Sequence, residues 1–156
     1  LSLTSVTAFL ALHAPDLRVV TLDASTATVA EAAAAHGVSP AEIAKTLSLR
    51  VGDRPFLLVT AGDMRLDNRK ARAVFGGKVS MLSHDEALAL TGHPVGGVCP
   101  FGLASPLPIR CDVSLRRFAE VVPAAGDRFS AVRIAPERMA ALVGAEWVDV
   151  CEAPKA

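Results

Sequence analysis

The sequence is poor in the features that mark several common protein classes. Its three cysteines, Cys99, Cys111 and Cys151, are odd in number and fall in no CxxC or Cys/His ligand spacing. Neither a disulfide framework nor a zinc site is expected, and the thiols read as reduced. Net charge is missing as well, because sixteen Lys plus Arg balance sixteen Asp plus Glu. Contact with a polyanion must therefore come from local clustering, which argues against a general nucleic-acid coat protein. No apolar run approaches the roughly 20 residues that a membrane span needs. The apolar opening, residues 1–12, is interrupted by Ser2, Thr4, Ser5 and Thr7 and has no basic leader, so it reads as an amphipathic helix rather than a signal peptide. A soluble cytoplasmic chain is expected. Internal repeats, low-complexity tracts and interdomain linkers are absent too, and at 156 residues, about half of them apolar, the chain suits one domain over 1–156 with a real core.

What is present is regular punctuation by caps and turns. Thr28-Val-Ala-Glu31 has capping-box spacing and opens an alanine-rich helix that Gly37 closes. Ser39-Pro-Ala-Glu42 repeats the device and predicts a short helix to about Ala44. Leu47, Leu49 and Val51 then alternate with Ser48 and Arg50, and a Gly52-Asp53 turn leads into an apolar run over 55–60, which predicts a hairpin. A helical pattern covers 67–75, with Arg65, Arg69 and Arg72 expected close together on its outer side. Ser83 caps another helix ending near Gly92. Strands are expected over 109–113, 120–123, 130–134 and 147–150, with helices over 114–119 and 136–143. This irregular order predicts an α/β chain of the α+β type with a mixed sheet.

Three features could carry chemistry. Lys45 is in phase with Leu47, Leu49 and Val51, so a strand starting there turns its ammonium toward the apolar side. Such a lysine needs an anion, a ligand or a route to water, unless it simply snorkels to solvent from a strand end. The second feature is Gly92-His-Pro-Val-Gly-Gly-Val-Cys-Pro-Phe-Gly102, whose glycines and prolines form a rigid loop that can bring backbone N–H groups to a carbonyl or phosphate oxygen. An ordinary connecting turn would look similar. It matches neither Walker A nor the dinucleotide fingerprint, so no nucleotide cofactor is indicated. The third is the basic stretch over 63–78, which suits a phosphate backbone or a solvated helix face. His13, His36, His84 and His93 are dispersed and sit in no nucleophile or metal motif. Cys99 lies within the glycine loop, but no partner base is visible, and a packed thiol is expected there.

Glu42-Ile-Ala-Lys-Thr-Leu47 and Gly96-Gly-Val-Cys-Pro-Phe-Gly102, in that order, resemble the two signature segments of the YbaK/ProX family of aminoacyl-tRNA deacylases. That family is related to the editing domain inserted in bacterial prolyl-tRNA synthetases. The resemblance extends through the Thr28 helix, residues 65–75, Asp112-Val-Ser-Leu115, Ala125-Gly126 and the Pro136 helix. It implies a mixed, partly barrel-like sheet flanked by helices, with a cleft between strand and loop and neither metal nor cofactor. It also implies hydrolysis of the ester of a mischarged aminoacyl-tRNA carrying a small residue such as Ala or Cys, on tRNA(Pro) or a related tRNA. Lys45 matches the lysine essential to the family. Residues 96–100, with Gly96, Gly97, Val98 and Pro100, match the loop that positions the aminoacyl end. Thr28, Thr46 and Asp112 are expected as supporting substrate contacts, and Arg65, Arg69 and Arg72 as contacts to the acceptor stem. The partners implied are aminoacyl-tRNA and a prolyl-tRNA synthetase. A non-catalytic tRNA- or synthetase-binding module of the same fold is the alternative. Thr28 and Ala131 stand where some relatives carry a tyrosine and an aspartate, which leaves the identity of the amino acid open.

Overall fold

The computed structural model describes residues 2–154, so Leu1, counted above in the opening helix, lies outside the described residues. The chain runs in order through α1 (Ser2–His13), β1 (Val20–Thr21), α2 (Val29–His36), a 3-10 turn (Pro40–Glu42), β2 (Ile43–Val51), β3 (Arg54–Ala61), β4 (Arg65–Leu66), α3 (Asn68–Phe75), β5 (Val79–Met81) and α4 (His84–Thr91). After the glycine loop come β6 (Ile109–Asp112), a second 3-10 turn (Val113–Arg117), β7 (Val122–Pro123), β8 (Ser130–Ala131), α5 (Pro136–Val143), β9 (Glu146–Val148) and β10 (Cys151–Glu152). No helix among the described residues is long and apolar enough to cross a membrane.

The main sheet is mixed, with strand order β5-β2-β3-β6-β9 and β7 added to β2. β2 runs antiparallel to β3 and β5, whereas β3–β6, β6–β9 and β2–β7 are parallel. It is flanked by helices, as the resemblance implies, and it stays open. β3 lies at its centre, and its side chains alternate between two cores. Leu57, Val59 and Ala61 join Val6 and Leu10 of α1, Ile109 and Cys111 of β6, Phe101 and Met139 on one side. Phe56 and Leu58 join Leu49, Val51, Ala71 and Val150 on the other. A strand covered on both faces needs an unbroken apolar run, which the residues following Pro55 supply. Burial of each such leucine or phenylalanine stabilises the fold by about 1.5–3 kcal/mol.

The capping boxes at Thr28, Ser39 and Ser83 form as expected, and Gly37, Gly76, Gly92 and Gly144 close their helices with positive φ. The structure corrects the expectations where pairing outweighs local pattern. The Ser39 device yields one 3-10 turn instead of a helix to Ala44, because Ile43 and Ala44 pair with Val122 and Pro123. Arg65 is not on a helix at all. It pairs in β4 with Glu152, and Asp67, whose carboxylate accepts the N–H groups of Arg69 and Lys70, starts α3 behind it. The helix expected over 114–119 is the 3-10 turn that ends at Arg117. The strands expected over 120–123 and 130–134 shrink to two-residue pairings plus single bridges, and the one expected over 147–150 divides into β9 and β10. The two-residue β1 and the three-residue β5 are too short to leave a periodic signal.

One consequence of the register positions the site. On its outer edge β2 is covered by β7 at Ile43 and Ala44, by β5 from Leu49 to Val51, and by Leu82 N–H on the Ser48 carbonyl. Lys45, Thr46 and Leu47 lie in the gap between those partners.

Candidate functional site

A cavity of about 220 Å3 opens at that gap. Its walls come from four directions: Thr26, Thr28, Val29 and Ala32 at the start of α2; Ile43, Ala44, Lys45, Thr46 and Ser48 of β2; Met81, Leu82, His84 and Ala87 beside α4; and Val95, Gly96 and Val98 of the glycine loop. Val122, Ala124 and Ala131 complete it. Lys45 and His84 are the only ionisable side chains among these lining residues, and no carboxylate of the described residues is among them.

Lys45 sits opposite Thr60 in the β2–β3 ladder and is half-buried. Its ammonium donates a hydrogen bond to the Met64 carbonyl, in the turn after β3. Burial lowers its pKa, against the opposing pull of Cys151 and Asp63. The Cys151 thiol is itself pushed up to about 12 by burial, so at neutral pH it carries no charge. Asp63 is then the anion that acts on the lysine. Its carboxyl lies below the ordinary range because it accepts hydrogen bonds from Arg117.

The glycine loop reaches the cavity by close packing. Gly96 has φ +87°, and a Cβ there would come within 2.9 Å of the Ala27 side chain. At Gly97 a Cβ would lie 2.6 Å from the backbone of Gly126 and Asp127. Only glycine allows the loop into this slot between two segments. The N–H of Gly97 is already engaged, donating to the Pro94 carbonyl at 2.9 Å in a turn.

The expected site residues thus divide. Lys45, Thr28, Thr46, Gly96 and Val98 surround one cavity. Gly97 and Pro100 lie buried behind it and shape the loop from within. Asp112 is not on the cavity wall: it is 1% exposed, and its two oxygens accept the N–H groups of Ser114 and Val150. Its role in the fold is to tie β6 to the segment between β9 and β10. The Thr28 hydroxyl, though on the wall, is engaged in the cap of α2 with Glu31. The Thr46 hydroxyl is buried and has no protein partner. Arg65 lies on β4 and forms an ion pair with Glu152 at 3.0 Å, whereas Arg69 and Arg72 belong to α3.

Sequence reading missed Thr26, Ser48, Met81 and His84 as cavity residues. Ser48 shares a phase with Thr46, which was the available signal; Met81 and His84 arrive through β5 and a tertiary approach that no local pattern records. Thr28 and Ala131, the two departures from the resembled pattern, both face the cavity.

Cys99 and His93 look like a nucleophile and a base, since Sγ lies 3.6 Å from Nε2. The surroundings exclude that chemistry. Cys99 is fully buried and its pKa is pushed up to about 12. His93 Nε2 faces the Phe101 carbonyl at 2.7 Å, which can only accept, so that nitrogen holds the proton and cannot take one from the thiol. Nδ1 lies 2.5 Å from the Ser2 hydroxyl, which also donates to the Gly126 carbonyl. Among the described residues no cluster of His, Cys, Asp and Glu side chains is arranged to hold a metal ion.

The profile of the aminoacyl-tRNA editing domain matches residues 23–142, a span that includes the whole cavity. The uncharacterized protein YwhH of Bacillus subtilis is 48% identical over 136 residues, covering 86% of this chain and 87% of that protein. The proline–tRNA ligase of Trichlorobacter lovleyi is 29% identical over 117 residues, 74% of this chain but 19% of the ligase. Among solved structures, a crystal structure of a candidate trans-editing enzyme for prolyl tRNA synthetase superposes with a TM-score of 0.90 at 35% identity, covering 97% of this chain and 98% of the other.

Proposed function

The chain belongs to the aminoacyl-tRNA editing domain family, and on that footing we propose that it is a deacylase that hydrolyses the ester of a mischarged aminoacyl-tRNA. The substrate of this reading is a small amino acid, Ala, Cys or similar, on tRNA(Pro) or a related tRNA, and the site of action is the cytoplasm, alongside a prolyl-tRNA synthetase. The observation that carries the reading is the convergence of Lys45 with Gly96 and Val98 on one cavity at the open edge of β2. A space of about 220 Å3 walled by alanines, valines and threonines suits a short side chain.

In this mechanism Lys45 holds the terminal nucleotide or the ester carbonyl. The N–H groups of Gly96 and Val98 face the carbonyl oxygen and stabilise the charge that develops on it. The Gly97 N–H takes no part, being spent on Pro94. Water, or a group of the substrate itself, attacks the carbonyl carbon. The carbon–oxygen bond to the ribose then breaks, which frees the amino acid and returns a hydroxyl to the tRNA. No carboxylate among the described residues lines the cavity to act as base, and a reaction held in place by binding and assisted by the substrate does not require one. Arg69 and Arg72, on the outer side of α3, contribute phosphate contacts to the acceptor stem; Arg65, tied to Glu152, contributes less.

The test is hydrolysis of a panel of mischarged tRNAs, chiefly tRNA(Pro) bearing Ala, Cys or Ser, by wild type and Lys45→Ala. Release by the wild type that the substitution abolishes is the expected result. Binding of tRNA without release from any member of the panel would replace the deacylase with a binding module of the same fold.

A further inference from the structure

The turn that receives Lys45 also contains a carboxylate, and the fold keeps the two apart. Met64 supplies the carbonyl that accepts the Lys45 ammonium, and Asp63 is its chain neighbour. The turn cannot drift, because Gly62 is packed so closely that a Cβ would fall 2.2 Å from the Pro40 carbonyl oxygen and 2.8 Å from Val29 Cγ1. An unpaired carboxylate this near a half-buried ammonium would draw it into an ion pair. Instead both Asp63 oxygens are taken by Arg117, Nη1 to Oδ2 at 3.1 Å and Nη2 to Oδ1 at 2.6 Å. Arg117 is fixed in turn, its Nε donating to the Ser114 carbonyl at 2.9 Å and its guanidinium 5.0 Å from the Phe118 ring. The 3-10 turn that carries Arg117 is anchored to the end of β3, where Ser114 Oγ accepts the Ala61 N–H at 3.4 Å. A two-pronged guanidinium occupies both carboxylate oxygens at once, which a lysine could not do.

We propose that Arg117 is a positioning residue that withholds the Asp63 carboxylate from Lys45, leaving the lysine on the neutral Met64 carbonyl, from which substrate can recruit it. The consequence for catalysis rests on the deacylase reading above; the consequence for Lys45 itself does not. Removing Arg117 frees Asp63 to capture Lys45. Neutralising Asp63 in the same molecule removes the captor and restores the site.

Two measurements on Arg117→Gln, Asp63→Asn and the double variant decide it. The first needs no substrate: the pH dependence of Lys45 labelling by an amine-directed reagent, followed by mass spectrometry. Arg117→Gln is expected to raise the apparent Lys45 pKa and slow its labelling, and the double variant to return both to wild type or beyond. The second is kcat/KM for deacylation, expected to fall on the order of tenfold in Arg117→Gln and to recover to within about threefold of wild type in the double variant. Unchanged Lys45 labelling in Arg117→Gln overturns the proposal, as does a double variant as impaired as the single one, the result expected if Arg117 merely supports the fold or touches tRNA. A wild type that hydrolyses nothing sinks the deacylase reading, while the labelling experiment still decides the role of Arg117.

Discussion

Two regions of this molecule place a reactive-looking side chain beside a glycine-rich loop, and they have opposite fates. Around Lys45 the sheet edge is open, the charge is half-buried, and its contact is a neutral backbone carbonyl. Around Cys99 everything is closed. The thiol, its neighbour His93 and the Phe101 side chain between loop and core are fully buried, and His93 is held to the Phe101 carbonyl. Proximity of a nucleophile to a histidine is thus a weaker guide than access and proton placement. A thiol pushed to about 12 beside a histidine whose pKa burial has lowered presents no thiolate at neutral pH.

If the Cys99 region is scaffold, damage there should unfold the protein, whereas damage at Lys45 should stop it working. The largest effect is expected from Phe101→Ala, which empties a fully buried site in the main core and should destabilise by about 3–5 kcal/mol in denaturant titration. Lys45→Ala should do the reverse. Deacylation should drop on the order of 100-fold or more, the usual scale for losing a contact to the reacting carbonyl, with the unfolding midpoint almost unchanged. Relief of a desolvated charge could even stabilise slightly, since the ammonium is held against its burial cost. A Lys45→Ala variant that unfolds as readily as Phe101→Ala would erase the distinction.

The closed region should also report itself through pH. Burial lowers the pKa of His93, and of His36, below the ordinary 6.5. The unfolded chain then binds protons that the folded one refuses. Stability from these groups is complete above about pH 6.5 and drains as pH falls below it. The lowered carboxylates, among them Asp16, Glu42, Asp63 and Asp67, lose their contributions only at more acid pH. His93→Gln keeps a donor for the Phe101 carbonyl but cannot titrate. Between pH 7 and 5.5 its stability should therefore fall less steeply than that of the wild type, the slope that remains belonging to His36.

How much of this was legible in the sequence depends on the range of the interaction. Caps, glycine stops and the β2–β3 hairpin are local, and Thr28, Ser39, Ser83 and the apolar run of β3 declared them. The phase of Lys45 was local as well, which is why the lysine could be singled out. Arg65 was misplaced because its helical spacing to Arg69 is real, but pairing with Glu152, 87 residues away, decides its conformation. Asp112 was assigned to the substrate because a carboxylate in a resembled segment looks functional; its two N–H donors come from Ser114 and Val150, and only the second is remote. His93 was passed over for lack of a motif, since Ser2 lies 91 residues away and its nearer partner, Phe101, contributes only a backbone carbonyl. The cavity itself is assembled from segments that no window of sequence contains.

The smallest effect should come from the residue most easily mistaken for a nucleophile. Cys99→Ala removes a small packed side chain without touching the loop backbone that Gly96 and Val98 present to the cavity. Stability should fall by about 1 kcal/mol for the missing sulfur, and deacylation should stay within about twofold of wild type. Thiol reagents should agree: Cys99, Cys111 and Cys151 are all buried, so none should label until the protein opens, and at a fixed reagent concentration the labelling rate should scale with the population of the open state. Rapid modification of Cys99 in the native protein, or a Cys99→Ala variant that folds normally yet no longer deacylates, would mean that the loop opens in solution far enough to expose the thiol. The division between a working edge and a sealed scaffold would then have to be redrawn around a moving glycine loop.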